Sequence, residues 1–383
     1  MFGIKTLLNL FAYLLLLVPG LVYAGPACCA AVDADQIPVV RDDLAYAGLA
    51  EAIGASLSYL KRQPPSKLYR FCDRSYSPGE VAAGLVDFIT LVERKLAPEE
   101  FGKQFGEKFE LCAAAADEGV GGVLVTGYFE PLLEGSLQKE PPFIYPLYKR
   151  PDDLLQKDGR IGRLQEGGFV LYWTRGEIEN GGVLAGNELV YVKDPVEAFI
   201  LHVQGSGRIR LRDGQVRRIQ FAAKNGRPYR SIGKLLVDQG KMELAEVSLP
   251  TIADYLEAHP RERREILQSN QSFIFFRWGE SGDSGPLGRL GEPLTAGRSV
   301  ALDHECFPPG ALAFLETRKP IFNGENEIIG WAPLRRFVVN QDSGSAIKGG
   351  RRVDLFLGAG ERARAMAGVM KHPGKLYFPV AKK

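Results

Sequence analysis

Phe337-Val338-Val339-Asn340-Gln341-Asp342-Ser343-Gly344 and, beyond a glycine-containing turn, Arg352-Val353-Asp354-Leu355-Phe356-Leu357-Gly358 decide how the C-terminal third is read. Each is a short apolar run of strand character that carries a carboxylate. Arg298-Ser299-Val300-Ala301-Leu302-Asp303 is a third such run, ending on an acid. Carboxylates at or inside strands are costly unless they are hydrogen-bonded or put to use. Asp354 stands between Val353 and Leu355, so strand alternation turns it opposite to its apolar neighbours. That is compatible with plain solvent exposure on an amphipathic strand, and equally with a chemical role.

Working outward, Gly121 to about Leu211 is also strand-and-turn material. Val123-Leu124-Val125, Phe143-Ile144-Tyr145, Phe169 to Tyr172, Leu189 to Val192, Phe199 to Val203 and Ile209-Arg210-Leu211 are separated by glycine, proline and charged turns. Asp213-Gly214 is a tight-turn signal. Helical periodicity returns from Ser231 to about Gln268, and strands resume at Phe273. The stretch from Asp42 to about Glu118 is helical in pattern. Ser77-Pro78-Gly79-Glu80 is a capping box, and Phe101, Phe105 and Phe109 share one face. The class is therefore α+β, mainly β, with one β unit inserted into another. The divisions expected are a leader at 1–24, N-terminal helices with the first barrel part at 25–135, an inserted β domain at 136–240, and the second barrel part at 241–383.

The chain has 383 residues, 45% apolar and 25% charged, with a net charge of +2. Near-neutrality speaks against nucleic acid, which requires a basic excess or stripe. Lys5, the apolar stretch Leu7–Val18, Pro19-Gly20 and Val22-Tyr23-Ala24 have the build of an export leader. The apolar stretch is short for a membrane span of ~20 residues. Cys28 and Cys29 follow the cleavage position, but Gly25 is a poor start for a lipid-anchor signal. Cys72 and Cys112 suit a disulfide in an oxidising compartment or two buried thiols, and Cys306 has no evident partner. No spacing of cysteines marks a metal site.

Two loops add polar and aromatic groups fit for a sugar chain. They are Val125-Thr126-Gly127-Tyr128-Phe129-Glu130-Pro131 and Val203-Gln204-Gly205-Ser206-Gly207. Asp283-Ser284-Gly285 and Asp342-Ser343-Gly344 invite protease readings, but the first lacks a leading apolar strand. Glycine-rich turns account for them better.

In this order, several segments resemble the membrane-bound lytic murein transglycosylase A family. They are Thr126 to Pro131, Tyr145-Pro146-Leu147-Tyr148, Arg175-Gly176-Glu177-Ile178-Glu179, His202 to Gly207, Asn225 to Gly233, Gly285-Pro286-Leu287-Gly288, Gln341 to Gly349 and Asp354 to Gly358. The resemblance covers roughly Gly121 to the C-terminus, and Ser345 departs from it, standing where glycine is more usual. It implies a double-psi β-barrel with a second, barrel-like β domain inserted and a groove between them. It maps the family's three aspartates onto Asp303, Asp342 and Asp354, with Asp354 as catalytic acid and Asp342 beside it. Thr126, Tyr128, Gln204, Ser206, Gly207, Lys348 and Asp303 are the substrate-binding candidates.

The reaction implied is cleavage of the β-1,4 bond between N-acetylmuramic acid and N-acetylglucosamine in peptidoglycan, ending in 1,6-anhydromuramoyl groups. No metal or organic cofactor is implied, and the partners expected are glycan strands, with no nucleic acid. A periplasmic monomer is expected, with outer-membrane attachment left open. The rivals are an inverting hydrolase using Asp354 and Asp342 as a pair, and a non-catalytic wall-binding protein.

Overall fold

The computed structural model describes residues 28–32, 38–116, 119–120, 122–279, 285–325 and 327–383; the leader at 1–24 and the Asp283-Ser284 pair lie outside them. Six strands close into a ring. Going round it, Lys371–Ala381 pairs with Leu312–Phe322, which pairs with Ile328–Asp342, then Ser299–Ala301, Arg352–Ala359 and Gly122–Glu130, which returns to Lys371–Ala381. Two of these contacts are parallel, Ser299–Ala301 on Ile328–Asp342 and Arg352–Ala359 on Gly122–Glu130. Closure removes the open edges that an isolated sheet would expose.

Alternation decides which residues fill the main core. Val125, Val300, Val353 and Leu355 are all fully buried in it, so their odd–even neighbours Thr126, Ala301 and Asp354 face the other way. The N-terminal helices Leu49–Lys61, Pro78–Glu93 and Pro98–Lys108 cover part of the barrel. Ser77 closes the expected capping box with Glu80. Phe101, Phe105 and Phe109 stack in sequence, with ring centroids 6.0 and 5.3 Å apart. Phe109, however, opens a strand, Phe109–Ala116, where helix was expected; that strand pairs with Lys371–Ala381. The fully buried Arg298 pins the incoming chain through two bonds to Asp42, at 2.6 and 2.9 Å, and one to the Phe337 carbonyl.

The chain leaves the ring after Glu130 and forms a second sheet. Its order is Ile274–Trp278, Val216–Lys224, Ser206–Leu211, Leu132–Ser136, Glu188–Val192, Tyr145–Tyr148. Its strand latest in the chain, Ile274–Trp278, lies beyond the boundary drawn at residue 240. The helices Ile232–Asp238, Leu249–Ala258 and Pro260–Ser269 therefore belong to the excursion and do not begin the return. Phe199 to Val203, expected as a strand, is inside the helix Pro195–Gln204.

Cysteine pairing departs from the sequence reading as well. Cys72 bonds Cys112 as one of the two readings had it, and Cys306 finds a partner in Cys28, 278 residues away. The Cys28 sulfur is thus engaged in a disulfide. Among the described residues Cys29 is the free cysteine, and it is buried.

Candidate active site

Ala301 is the common neighbour of the two acids. It faces Asp354 across an antiparallel pairing and Asp342 across a parallel one, with a register shift between Val300 and Ala301 that brings Asp342 opposite it. Bulges re-aim side chains in this way near functional sites. Two strand spacings set the aspartate backbones ~9.5 Å apart. On the far side of Asp354 the register places Thr126 opposite it, and Tyr128 opposite Phe356. Tyr128, Leu294, Ala301, Ile347 and Phe356 form a small apolar cluster on this face, separate from the main core.

The hydrogen bonds divide unequally. Among the described residues Asp354 accepts a single one, from the Thr126 hydroxyl at 2.7 Å on Oδ1. Asp342 accepts three: the Tyr128 hydroxyl on Oδ2 at 2.9 Å, and the Arg289 and Ser343 N–H groups on Oδ1 at 3.0 and 2.9 Å. Burial pushes the Asp354 carboxyl up to about 6. The Thr126 bond and the Arg352 guanidinium pull against that rise, and the charge of Asp342 adds to it. Burial also raises Asp342, opposed by the Ser343, Tyr128 and Arg289 donors. Tyr128 is held well above its ordinary range, by burial first and then by the two carboxylates, so it remains a donor at neutral pH.

The remaining candidates have other placements. Asp303 is 6% exposed, and its oxygens accept from the Gly349 N–H at 2.8 Å and the Glu305 N–H at 3.2 Å. Lys348 lies 3.8 Å from it and is largely exposed. Together they hold the loop that follows the Asp342 strand. Gln204 ends the helix Pro195–Gln204, and its Oε1 accepts the Phe129 N–H at 3.0 Å, tying the second sheet to the barrel strand beside Tyr128. Ser206 opens a strand. Gly207 is packed so closely that a Cβ would lie 2.6 Å from Leu201 Cδ1 and 2.9 Å from the Pro131 carbonyl. The structure therefore gathers Thr126, Tyr128, Asp342 and Asp354. Gln204, Ser206 and Gly207 lie at the junction of the two sheets.

Three features went unread in the sequence. Glu130, 1% exposed, accepts from Arg208 Nε and Arg218 Nε, both at 2.8 Å, at the point where the chain passes from barrel to second sheet. Asn225, 1% exposed, gives Nδ2 to the Trp173 and Gln271 carbonyls and takes the Phe273 N–H. It thereby fixes the turn that leads to Tyr229. Arg352 shares the Asp354 face, as its position two residues earlier foretells; its Nη2 lies 3.5 Å from Thr126 Oγ1. His202, in contrast, is a core group. Its Nδ1 accepts the Ile274 N–H, and burial holds its pKa well below the usual value.

Two family models match the chain, one described as the MltA specific insert domain over residues 124–277 and one as the 3D domain over residues 298–379. A membrane-bound lytic murein transglycosylase A of Escherichia coli (strain K12) is 33% identical over 277 residues, which is 72% of this chain and 70% of that protein. The protein of the same name in Vibrio cholerae is 35% identical over 260 residues, covering 67% of this chain and 65% of its own. Among solved structures, a membrane-bound lytic murein transglycosylase from Agrobacterium tumefaciens superposes with a TM-score of 0.74 at 29% identity, over 92% of this chain and 97% of its own. E. coli MltA with bound chitohexaose gives 0.72 at 26% identity, over 93% and 95%.

Proposed function

From the premise that the chain belongs to the membrane-bound lytic murein transglycosylase A family, we propose that Asp354 alone supplies the acid and then the base for cleaving murein glycan strands. The enzyme is a lyase acting on peptidoglycan. The observation that carries the assignment is the unequal hydrogen bonding of the two aspartates. Asp354, with one donor and a pKa near 6, holds a proton at mildly acidic pH, whereas the oxygens of Asp342 are already occupied.

In the first step the protonated Asp354 gives its proton to the glycosidic oxygen as the bond to muramoyl C1 breaks. The resulting carboxylate accepts the proton of the muramoyl C6 hydroxyl as that oxygen bonds to C1. The product end is 1,6-anhydromuramoyl, no water is consumed, and Asp354 finishes protonated. Because the nucleophile belongs to the substrate, positioning replaces a second catalytic carboxylate. Asp342 then serves to hold Tyr128 and to keep a negative field beside Asp354. Membrane attachment follows from the family's name; export to the periplasm, with glycan strands as substrate, completes the reading.

The test is mass spectrometry of fragments released from purified murein. Ends one water lighter than reducing sugars are expected, with release lost in Asp354→Asn by ~10³-fold or more while glycan binding persists. Reducing ends would instead assign a hydrolase, and binding to sacculi without any release would assign a wall-binding protein.

A further inference from the structure

Arg352 and Asp354 point from one strand to one side, two residues apart, which sets their backbones ~6.8 Å from one another. The Arg352 side chain is partly buried and touches Thr126, the hydroxyl that donates to Asp354. Its Nε is shut off from solvent, and among the described residues it has no hydrogen-bond acceptor and the guanidinium has no carboxylate in a salt bridge with it. A guanidinium does not shed its proton, so neutralising itself is no escape from that cost. The buried Tyr229 phenol has its pKa raised by burial and lowered in part by the charges of Arg175 and Arg352. A fixed cation with a spare buried donor, one sugar ring away from a catalytic acid, is complementary to an anion on the substrate.

We infer that Arg352 binds a carboxylate on the 3-O-lactyl arm of the muramoyl residue being cleaved, a reading that rests on the function proposed above. The muramoyl C1 and C6 oxygens must both reach Asp354, so that ring lies against this strand. Its lactyl arm carries the acidic group nearest the scissile bond. On bare glycan that group is the lactyl carboxylate itself. On peptide-bearing glycan the lactyl carboxyl is amidated, and the nearest carboxylate belongs to the stem peptide. Arg352 is accordingly a specificity residue that distinguishes muramoyl strands from uncharged amino-sugar polymers.

Binding is measured in the Asp354→Asn background, so that no probe is consumed. The three probes are chitohexaose, bare alternating glycan strands and peptide-bearing strands. Adding Arg352→Gln is expected to weaken at least one muramoyl probe by tenfold or more, the strength of a charge-assisted hydrogen bond, with chitohexaose changed less than twofold. Loss confined to bare strands identifies the lactyl carboxylate, and loss confined to peptide-bearing strands identifies the stem. Arg352→Lys, which keeps the charge without the planar fork, should fall between parent and Gln variant. Equal weakening of all three probes, or of none, overturns the inference. Failure of the Asp354→Asn parent to bind any of them overturns the proposed function as well.

Discussion

Asp354→Asn should destroy cleavage and stabilise the fold, and the second effect can be worked out from the structure. Burial raises the carboxyl from 3.8 to about 6, so ionising it in the folded protein costs about 3 kcal/mol more than in the unfolded chain. The sign follows from linkage. With the folded value above the unfolded one, the native state binds the proton more tightly. Stability is then full below pH 3.8, falls as pH rises between the two values, and is lowest above about 6. Asparagine never ionises and still offers an oxygen to Thr126. The variant should match the parent near pH 3.5 and exceed it by up to about 3 kcal/mol at pH 7. With about 2.1 cal/mol/K per residue over 383 residues, that corresponds to ~4 °C in the unfolding midpoint if the chain unfolds as one unit. Unfolding followed by circular dichroism at pH 3.5, 5 and 7 measures the gap. A difference that does not grow with pH across this window would refute the claim that Asp354 is held protonated by burial.

The same electrostatics predict two opposite displacements of the pH–rate profile. Thr126→Val removes the bond that lowers the Asp354 pKa, so the alkaline limb of kcat/KM should move to higher pH; Asp342→Asn removes the charge that raises it, so the limb should move to lower pH, with a loss of ~10- to 100-fold at pH 7 that stays well short of the Asp354→Asn loss. Glu130→Gln would leave Arg208 and Arg218 facing each other without a counter-charge, and denaturant unfolding should report a loss of about 3–5 kcal/mol.

Much of the acidic face was legible because alternation is a local rule. Val353 and Leu355 had to face one way and Asp354 the other, and they do. What alternation does not say is what covers the far side. The apolar cluster on that side draws Tyr128, Leu294 and Ile347 from three distant segments, which no local rule foretells. Phe199 to Val203 was misread because four successive buried residues, Phe199 to His202, leave no period to read. The deciding signal stood just before it, where Asp194 caps the helix through the Val196 and Glu197 N–H groups and Pro195 takes the first helical position. The helices 232–269 look in the sequence like the start of a new unit, whereas the strand after them, Ile274–Trp278, pairs with Val216–Lys224 before them. The bond between Cys28 and Cys306 spans 278 residues and leaves no local trace.

Two aspartates on one face raise the question of which one carries the proton, and the surrounding donors favour Asp354 in the proposed mechanism. A carboxylate that accepts several hydrogen bonds is stabilised as the anion, and one that accepts few is not. Asp342 draws the Arg289 and Ser343 N–H groups and the Tyr128 phenol, and that phenol cannot ionise to withdraw its proton because burial and both acids oppose it. Among the described residues, Asp354 has the Thr126 hydroxyl as its one donor. Burial raises both carboxyls, and more donors oppose that rise at Asp342 than at Asp354, the kind of asymmetry by which paired carboxylates are told apart in acid–base enzymes. In the proposed mechanism Tyr128 is therefore a positioning residue: its bond to Asp342 opposes the rise that burial imposes there and so favours a negative charge beside Asp354, and such a charge would raise the affinity of Asp354 for the proton the glycosidic oxygen requires.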